Sequence, residues 1–181
     1  SIEVAGNGNR FDGRGGNDTI TGGEGADTIV GGTGNDSMTG AGGNDTFDVS
    51  GNDTVVAGDG VDTITLSAAG ATANISGGLG NDTINGVAFL AGTQTMDGGA
   101  GANILNVTAG VTNNAVTTTT AGTVTNMQTV NATFSDTTVG TLDVLALASA
   151  TGVTTLNLLA GANGQVSTVT GLNSGVTVVS N

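Results

Sequence analysis

The first half of the chain repeats a nine-residue pattern, which occurs twice in succession without a departure. Residues 22–30 read Gly-Gly-Glu-Gly-Ala-Asp-Thr-Ile-Val, and residues 31–39 read Gly-Gly-Thr-Gly-Asn-Asp-Ser-Met-Thr. Both have the form G-G-x-G-x-D-x-U-x, in which U is a large apolar residue. A short fixed repeat of this kind predicts a solenoid, because one copy cannot bury its apolar side chain alone and must stack on its neighbours.

The repeat continues on both sides of these two copies with small departures. Further copies lie at residues 13–21, 40–48, 49–56, 57–65, 68–76, 77–85 and 98–106. Arg14 and Ala41 stand at the second glycine position, and the copy at 49–56 is one residue short. Ala73 and Asn103 replace the aspartate of their copies. The pattern therefore predicts stacked turns over most of residues 13–106.

Each position of the repeat has a physical role. The glycines allow positive φ angles and close approach of the backbone, so the chain can turn sharply with its carbonyls pointing inward. The T-U-x tripeptide is β-prone and points its side chains out, in and out. Each copy is thus predicted to be a six-residue turn and a three-residue strand, and two consecutive copies make one rung of the coil. Alternate turns then stack about 4.8 Å apart.

The acidic residues are concentrated in this repeat region. The chain has 15 Asp and Glu against two Arg, a formal net charge of −13, and residues 101–181 contribute only Asp136 and Asp143 to it. Such a charge repels nucleic-acid phosphates and anionic lipids, and no apolar run reaches membrane-spanning length. We therefore predict no nucleic-acid partner and no membrane insertion, but an attraction for divalent cations.

The residue types that are absent narrow the chemistry further. His, Lys, Cys and Tyr do not occur, which removes most general bases and activated nucleophiles, so we do not expect an enzyme. Zinc and copper prefer nitrogen or sulfur ligands, and magnesium demands a tighter octahedron. Calcium accepts about six to eight oxygen ligands in tolerant geometry. Glycine carbonyls and Asp carboxylates therefore predict several bound Ca²⁺ ions.

In these residues the chain resembles RTX proteins, whose calcium-binding nonapeptide has this form. The resemblance covers residues 13–106. It implies a right-handed parallel β-roll over residues 1–106, which we expect to continue as a β-solenoid-like, Thr/Val/Ala-rich region over residues 107–181. It also implies the ligands: the carbonyls of positions two and four and the Asp of one turn, with the carbonyls of positions one and three and the Asp of the next turn on the same side.

Carried onto this sequence, the resemblance implies four complete cages and one altered cage. The four cages join Arg14, Gly16 and Asp18 to Gly31, Thr33 and Asp36; Gly23, Gly25 and Asp27 to Gly40, Gly42 and Asp45; Ala41, Gly43 and Asp45 to Ala57, Asp59 and Asp62; and Gly58, Gly60 and Asp62 to Gly77, Leu79 and Asp82. The altered cage joins Gly32, Gly34 and Asp36 to Ser50 and Asp53 of the short copy. We expect the cage between Asp53 and Ala73 to be lost, and that between Asp82 and Asn103 to be weak.

A second, longer spacing appears in the C-terminal half. Units of nearly equal length begin at Gln128, Gly140, Gly152, Gly164 and Gly175, and each has two or three aliphatic residues. Short strands separated by turns would produce this pattern, either as longer rungs of the same solenoid or as a small sandwich. We favour the solenoid, because the open end of a β-roll must be covered.

The composition of this half resembles the Thr- and Ala-rich stretches of RTX-bearing bacterial surface-layer proteins. The leading expectation is a calcium-dependent extracellular structural protein at the bacterial cell surface, exported by type I secretion. It would form a segment of a self-assembling surface layer or filament, with calcium driving folding and assembly and with copies of itself or other surface components as partners. The alternatives are a repeat segment of a large RTX adhesin and a calcium-binding secretion or stability module of a type I secreted enzyme.

Overall fold

The computed structural model describes residues 2–3, 8–67, 72–86, 94–109, 123–134, 140–143, 151–159, 166–170 and 175–180. Within these ranges all regular elements are β-strands, numbered β1 to β18 along the chain, and their ladders are parallel. None of the described residues forms a helix long and apolar enough to cross a membrane.

Two parallel sheets face each other across a thin interior. The first sheet contains β1 (Ile2–Glu3), β3 (Thr19–Glu24), β5 (Ser37–Gly42), β7 (Thr54–Asp59), β9 (Asn74–Leu79), β11 (Thr95–Asp97) and β13 (Thr123–Thr125). The second contains β2 (Arg10–Asp12), β4 (Thr28–Val30), β6 (Thr46–Val49), β8 (Thr63–Leu66), β10 (Thr83–Gly86), β12 (Ile104–Ala109), β14 (Thr129–Phe134), β16 (Thr155–Leu159) and β18 (Thr177–Ser180). A separate pair is formed by β15 (Gly140–Asp143) and β17 (Val166–Thr170).

From β1 to β14, successive strands alternate between the two sheets, so the chain coils. Equivalent residues of neighbouring strands pair in register, as Ile29 does with Phe47 and Phe47 with Ile64. This arrangement confirms the predicted parallel β-roll, which completes about six turns. The predicted three-residue strand is found in β4, where Thr28 is exposed, Ile29 is buried and Val30 is intermediate. The prediction is wrong for β3, β5, β7 and β9, which are six residues long because their ladders continue into the turn, as in the pairing of Gly23 with Ala41.

Among the described residues, one apolar cluster between the sheets extends from the repeat region into the C-terminal half. Ile64, Ile84, Leu105, Val130 and Leu156 are stacked on successive strands of the second sheet, and all are 0% exposed. Burying such a column supplies the main apolar driving force for stacking the rungs. The predicted boundary between residues 106 and 107 falls inside β12, and the division into two units stays a prediction.

The longer spacing found in the sequence of the C-terminal half matches the spacing of its strands. β14, β15, β16, β17 and β18 each begin within three residues of a predicted unit. Thr129 pairs with Thr155 in the C-terminal half, whereas Thr28 pairs with Thr46 in the repeat region, so more chain separates the partners in the C-terminal half. The C-terminal half therefore continues the solenoid with longer rungs.

An asparagine ladder on the outer face of the second sheet links four successive rungs. The side-chain amides of Asn106, Asn131 and Asn157 each donate a hydrogen bond of 2.7–2.8 Å to the amide oxygen of the preceding member, the first acceptor being Asn85. Identical side chains stacked in register allow each amide to act as both donor and acceptor. The ladder connects the repeat region to the C-terminal rungs.

Candidate metal centre

The six-residue turns form two rows, one on each side of the roll. The long row contains the turns that lead from the first sheet to the second, and the short row contains those that lead back. The long row comprises turns 22–27, 40–45, 57–62, 77–82 and 98–103, and the short row comprises turns 13–18, 31–36 and 50–53. Each predicted cage thus joins two turns that are neighbours in one row.

The close stacking of the turns requires glycine at their fourth position. Gly43 has φ +117° and Gly60 has φ +151°. A Cβ atom built on Gly60 would collide with the carbonyl oxygen of Gly43 in the turn below it. Arg14 and Ala41, at the second position, also have positive φ angles, +68° and +83°, although side chains disfavour this conformation.

One oxygen of each long-row aspartate is held by the turn before it. The backbone amides of Asp27, Asp45 and Asp62 donate hydrogen bonds of 2.8, 2.7 and 2.9 Å to Oδ1 of Asp45, Asp62 and Asp82, respectively. In the short row the amide of Asp18 binds Oδ1 of Asp36 in the same way, at 2.8 Å. These bonds fix the orientation of each carboxylate.

The second oxygen of the same carboxylates is buried and has no hydrogen-bond partner. This holds for Oδ2 of Asp27, Asp36, Asp45, Asp62 and Asp82. A buried, unpartnered carboxylate oxygen is costly, and native structures rarely leave one without compensation. The five oxygens therefore indicate a missing positive partner.

Backbone carbonyls converge on these oxygens. A Cβ atom built on Gly77 would lie 2.5 Å from both Asp82 Oδ2 and the carbonyl oxygen of Gly98 in the next turn. One built on Gly22 would lie 2.5 Å from Asp27 Oδ2 and 2.9 Å from the carbonyl oxygen of Gly40. In these two turns a carboxylate oxygen and a backbone carbonyl oxygen thus lie close together, and both are ligands that a hard cation accepts.

Burial also shifts the proton affinity of these carboxyls. Burial raises the pKa of Asp62 to about 6, against a lowering effect of the hydrogen bond from Asp45, and neighbouring acidic side chains raise it further. The pKa values of Asp36, Asp45 and Asp82 are raised for the same leading reason. A buried carboxylate in this position must bind either a proton or a cation to lose its unfavourable charge.

The comparison with protein families agrees with this geometry. Residues 12–47, 49–68 and 73–87 match the model of the RTX calcium-binding nonapeptide repeat. The repeat region of this chain is an RTX calcium-binding β-roll. No curated protein and no solved structure is matched by the chain.

The residues of the RTX turns fit calcium in ligand type. The metal ligands available in these turns are oxygens, since the chain has no His and no Cys. Among the described residues no three acidic side chains gather at one point, so a calcium ion between two RTX turns would depend largely on backbone carbonyls. Calcium accepts such carbonyls together with carboxylates.

Two of the predicted ligand positions already take part in the backbone network of the roll. At position two, the carbonyl of Arg14 accepts a 2.8 Å hydrogen bond from the amide of Thr33. The position-three carbonyls of Thr33, Gly42, Asp59 and Leu79 accept hydrogen bonds of 2.6–2.9 Å from the position-four amides of Gly16, Gly25, Gly43 and Gly60. A carbonyl oxygen has two lone pairs, so one remains on each of these atoms for a cation.

The short RTX turn differs from the others. Oδ2 of Asp53 accepts hydrogen bonds from the amides of Ser50 and Gly51, at 3.3 and 3.2 Å, and the Ser50 hydroxyl donates to the carbonyl of Gly32. Because this turn is one residue shorter, protein donors reach Oδ2 of Asp53 and the carbonyl of Gly32. The equivalent groups of the other turns would face a cation. The cage that we predicted between Asp36 and this turn stays a prediction, with fewer free acceptors than its neighbours.

The sequence did not reveal the role of the asparagine at position five. Asn17, Asn44 and Asn81 accept hydrogen bonds of 2.8–3.0 Å through Oδ1 from the position-five amides of the next turn, those of Asn35, Val61 and Ala102. The recurring Asn-Asp pair was a signal for this contact, but in the sequence alone it indicates only a tight turn. Both residues of the pair therefore link one RTX turn to the next.

Proposed function

We propose that this chain is a calcium-dependent extracellular structural protein, a segment of a surface layer or filament in which calcium drives both folding and assembly. The observation that carries the proposal is the set of buried, unpartnered aspartate oxygens in stacked turns. Carboxylates at this density disfavour compaction unless cations balance them, so folding is coupled to calcium binding.

The proposed ligands are those of the four complete cages. Asp27 and Asp45 would each contribute Oδ2, because their Oδ1 atoms are already hydrogen-bonded to a backbone amide. The bound ion supplies positive charge between the turns. Because an interior turn of the long row has a neighbour on both sides, its aspartate would serve two ions, and neighbouring sites would fill cooperatively.

An extracellular location agrees with the calcium chemistry. Extracellular calcium modules have dissociation constants of about 10⁻⁴–10⁻³ M. RTX repeat proteins are typically secreted. A chain with this proposed dependence stays unfolded at low calcium inside the cell and folds after export, which suits type I secretion and a cell-surface location.

A structural role also agrees with the residues of the chain. The absence of His, Lys, Cys and Tyr supports a non-catalytic protein. The elongated roll supplies a long, regular surface on which copies of the chain or other surface components can pack. An adhesin segment and an accessory module of a secreted enzyme share the calcium-dependent folding but need no lattice.

Electron microscopy of the purified protein tests the proposal. We expect ordered sheets or filaments in millimolar calcium and their loss in EGTA. Circular dichroism of the same samples should show β-signal with calcium and disorder with EGTA. Particles that stay single at high protein concentration in calcium would refute the assembly role, and a spectrum unchanged by EGTA would refute calcium-driven folding.

A further inference from the structure

The last turn of the long row carries an amide where the other turns carry a carboxylate. Asn103 is 0% exposed, and its Oδ1 accepts a 2.8 Å hydrogen bond from the backbone amide of Asp82. This is the contact that Oδ1 of Asp82 makes with the amide of Asp62. Asn103 therefore preserves the contact that orients the side chain, and this contact places its nitrogen at the position of the second carboxylate oxygen.

That nitrogen makes contacts that the second carboxylate oxygens lack. Nδ2 of Asn103 donates to the carbonyl oxygen of Asn126 at 3.0 Å and to that of Gly99, at the longer distance of 3.4 Å. A Cβ atom built on Gly98 would lie 2.7 Å from Nδ2 of Asn103 and would also collide with the Asn126 carbonyl. The equivalent atom on Gly77 meets Asp82 Oδ2 and the Gly98 carbonyl. The geometry of the two turns is thus the same, but a donor has replaced an acceptor.

We infer that the side-chain amide of Asn103 takes the place of a bound cation, so that the junction between turn 98–103 and Asn126 is metal-free and ends the long row. This inference rests on the proposed function, in which a calcium ion joins the carbonyls and carboxylates of the preceding turns. At the junction, the N–H groups of one uncharged side chain join two carbonyls that a calcium ion would otherwise join.

The groups beyond Asn103 complete a junction closed by the protein itself. Gln128 accepts a 2.6 Å hydrogen bond through Oε1 from the backbone amide of Asn103, and the intervening Met127 is 0% exposed in the interior. Asp97 accepts hydrogen bonds from the side chain of Asn126 and the amide of Gly99, at 2.7 and 3.0 Å. Within the described parts of residues 98–159, no buried side-chain nitrogen or oxygen lacks a hydrogen-bond partner.

The variant Asn103→Asp tests the inference. The new Oδ2 would face the carbonyls of Gly99 and Asn126, which repel it unless a cation enters. We therefore expect isothermal titration calorimetry to give one more calcium ion per chain than for the parent, and circular dichroism to show that the variant requires a higher calcium concentration to fold. Asn74→Asp is the matched control, because Asn74 is exposed on β9 and an aspartate there keeps the oxygen that accepts a 2.9 Å hydrogen bond from the Thr95 hydroxyl.

The outcomes separate this inference from the proposed function. A parent protein that binds no calcium would overturn both. A calcium-binding parent with an unchanged ion count in Asn103→Asp would overturn the inference alone. Should Asn103→Asp fail to fold, the reverse change Asp82→Asn is decisive, because it should remove at least one ion and increase the β-signal in EGTA; an unchanged ion count there would also overturn the inference.

Discussion

The backbone amide of Asp45 donates a 2.7 Å hydrogen bond to Oδ1 of Asp62, and Oδ2 of the same Asp62 side chain is buried without a partner. One carboxylate therefore has two separate roles. Its first oxygen aligns neighbouring turns through the protein's own donors, and its second oxygen is available to a proton or a cation. This division lets substitutions distinguish turn alignment from metal binding.

Substituting Asp45 should weaken calcium binding more than substituting an acidic residue outside the repeats. Asp45→Asn preserves an acceptor for the amide of Asp27 but removes the charge that two proposed cages share. We expect calcium titration to show the loss of at least one ion and a weaker affinity for those that remain. Asp136→Ala is the control, and equal effects of the two variants would contradict the ligand assignment.

The pH dependence of the metal-free protein should be opposite to that of an ordinary salt-bridged protein. Burial raises the pKa of Asp62 to about 6 from its ordinary value of 3.8, so the folded state binds protons more tightly than the unfolded state. Folded-state stability then increases as the pH falls from about 6 towards 4 and decreases as it rises through this range. Circular dichroism in EGTA measures the effect, as a larger β-signal at pH 4.5 than at pH 7.

Excess calcium should reverse this trend, because protons and calcium compete for the same carboxylates. In millimolar calcium we expect a lower melting temperature at pH 4.5 than at pH 7. Asp62→Asn removes the group with the largest shift and should flatten the dependence in EGTA. A parent with no more β-signal at pH 4.5 than at pH 7 in EGTA would show that these carboxyls are not buried as described.

Ala41→Gly should stabilise the roll. Ala41 has φ +83° at a position where most other turns have glycine, and a left-handed conformation costs a residue with a side chain about 1–2 kcal/mol. Part of this gain is offset by the greater freedom of glycine in the unfolded chain, so a net gain of about 0.5–1 kcal/mol is expected. Calcium-saturated chemical denaturation measures it, with Ala26→Gly as a control turn position.

The asparagine ladder should contribute a measurable stability that does not depend on calcium. Asn131→Ala removes the bonds to Asn106 and Asn157. Because these side chains are only partly buried, we expect a cost of about 1–2 kcal/mol in denaturation experiments at every calcium concentration at which the parent is folded. Thr133→Ala on the exposed surface of the same strand is the control, and a cost no larger than the control's would show that water replaces the ladder.

The roll could be predicted from the repeat because every residue type recurs at a fixed position within nine residues. In residues 22–39 each glycine, aspartate and apolar residue recurs at its own position, so the inward position of Ile29 and the stacking of Asp27 on Asp45 follow from counting. The evenly spaced units of the C-terminal half allowed the same reasoning for β14 to β18. The ligand positions could be inferred only through the resemblance, because composition does not determine which carbonyls face an ion.

The irregular turns of the long row and the short row could not be predicted in the same way. In the sequence, Asn103 is only a lost ligand, because its partner Asn126 is distant along the chain and no repeat connects the two. The short turn presents the same difficulty, since the deletion reveals a missing residue but not that Ser50 donates to Gly32. Both contacts depend on side chains that meet only after the coil has formed.

The return of the chain to the same sheet after every two strands determines how a molecule of this kind can change length. Because two copies of the repeat restore the chain to the same sheet, the gain or loss of one pair leaves every other strand facing the same way. A single lost residue is tolerated in turn 50–53, where the strands on either side keep their pairing. Such a fold can be lengthened by duplicating gene segments in whole coils, with each added coil bringing its own ion-binding turns.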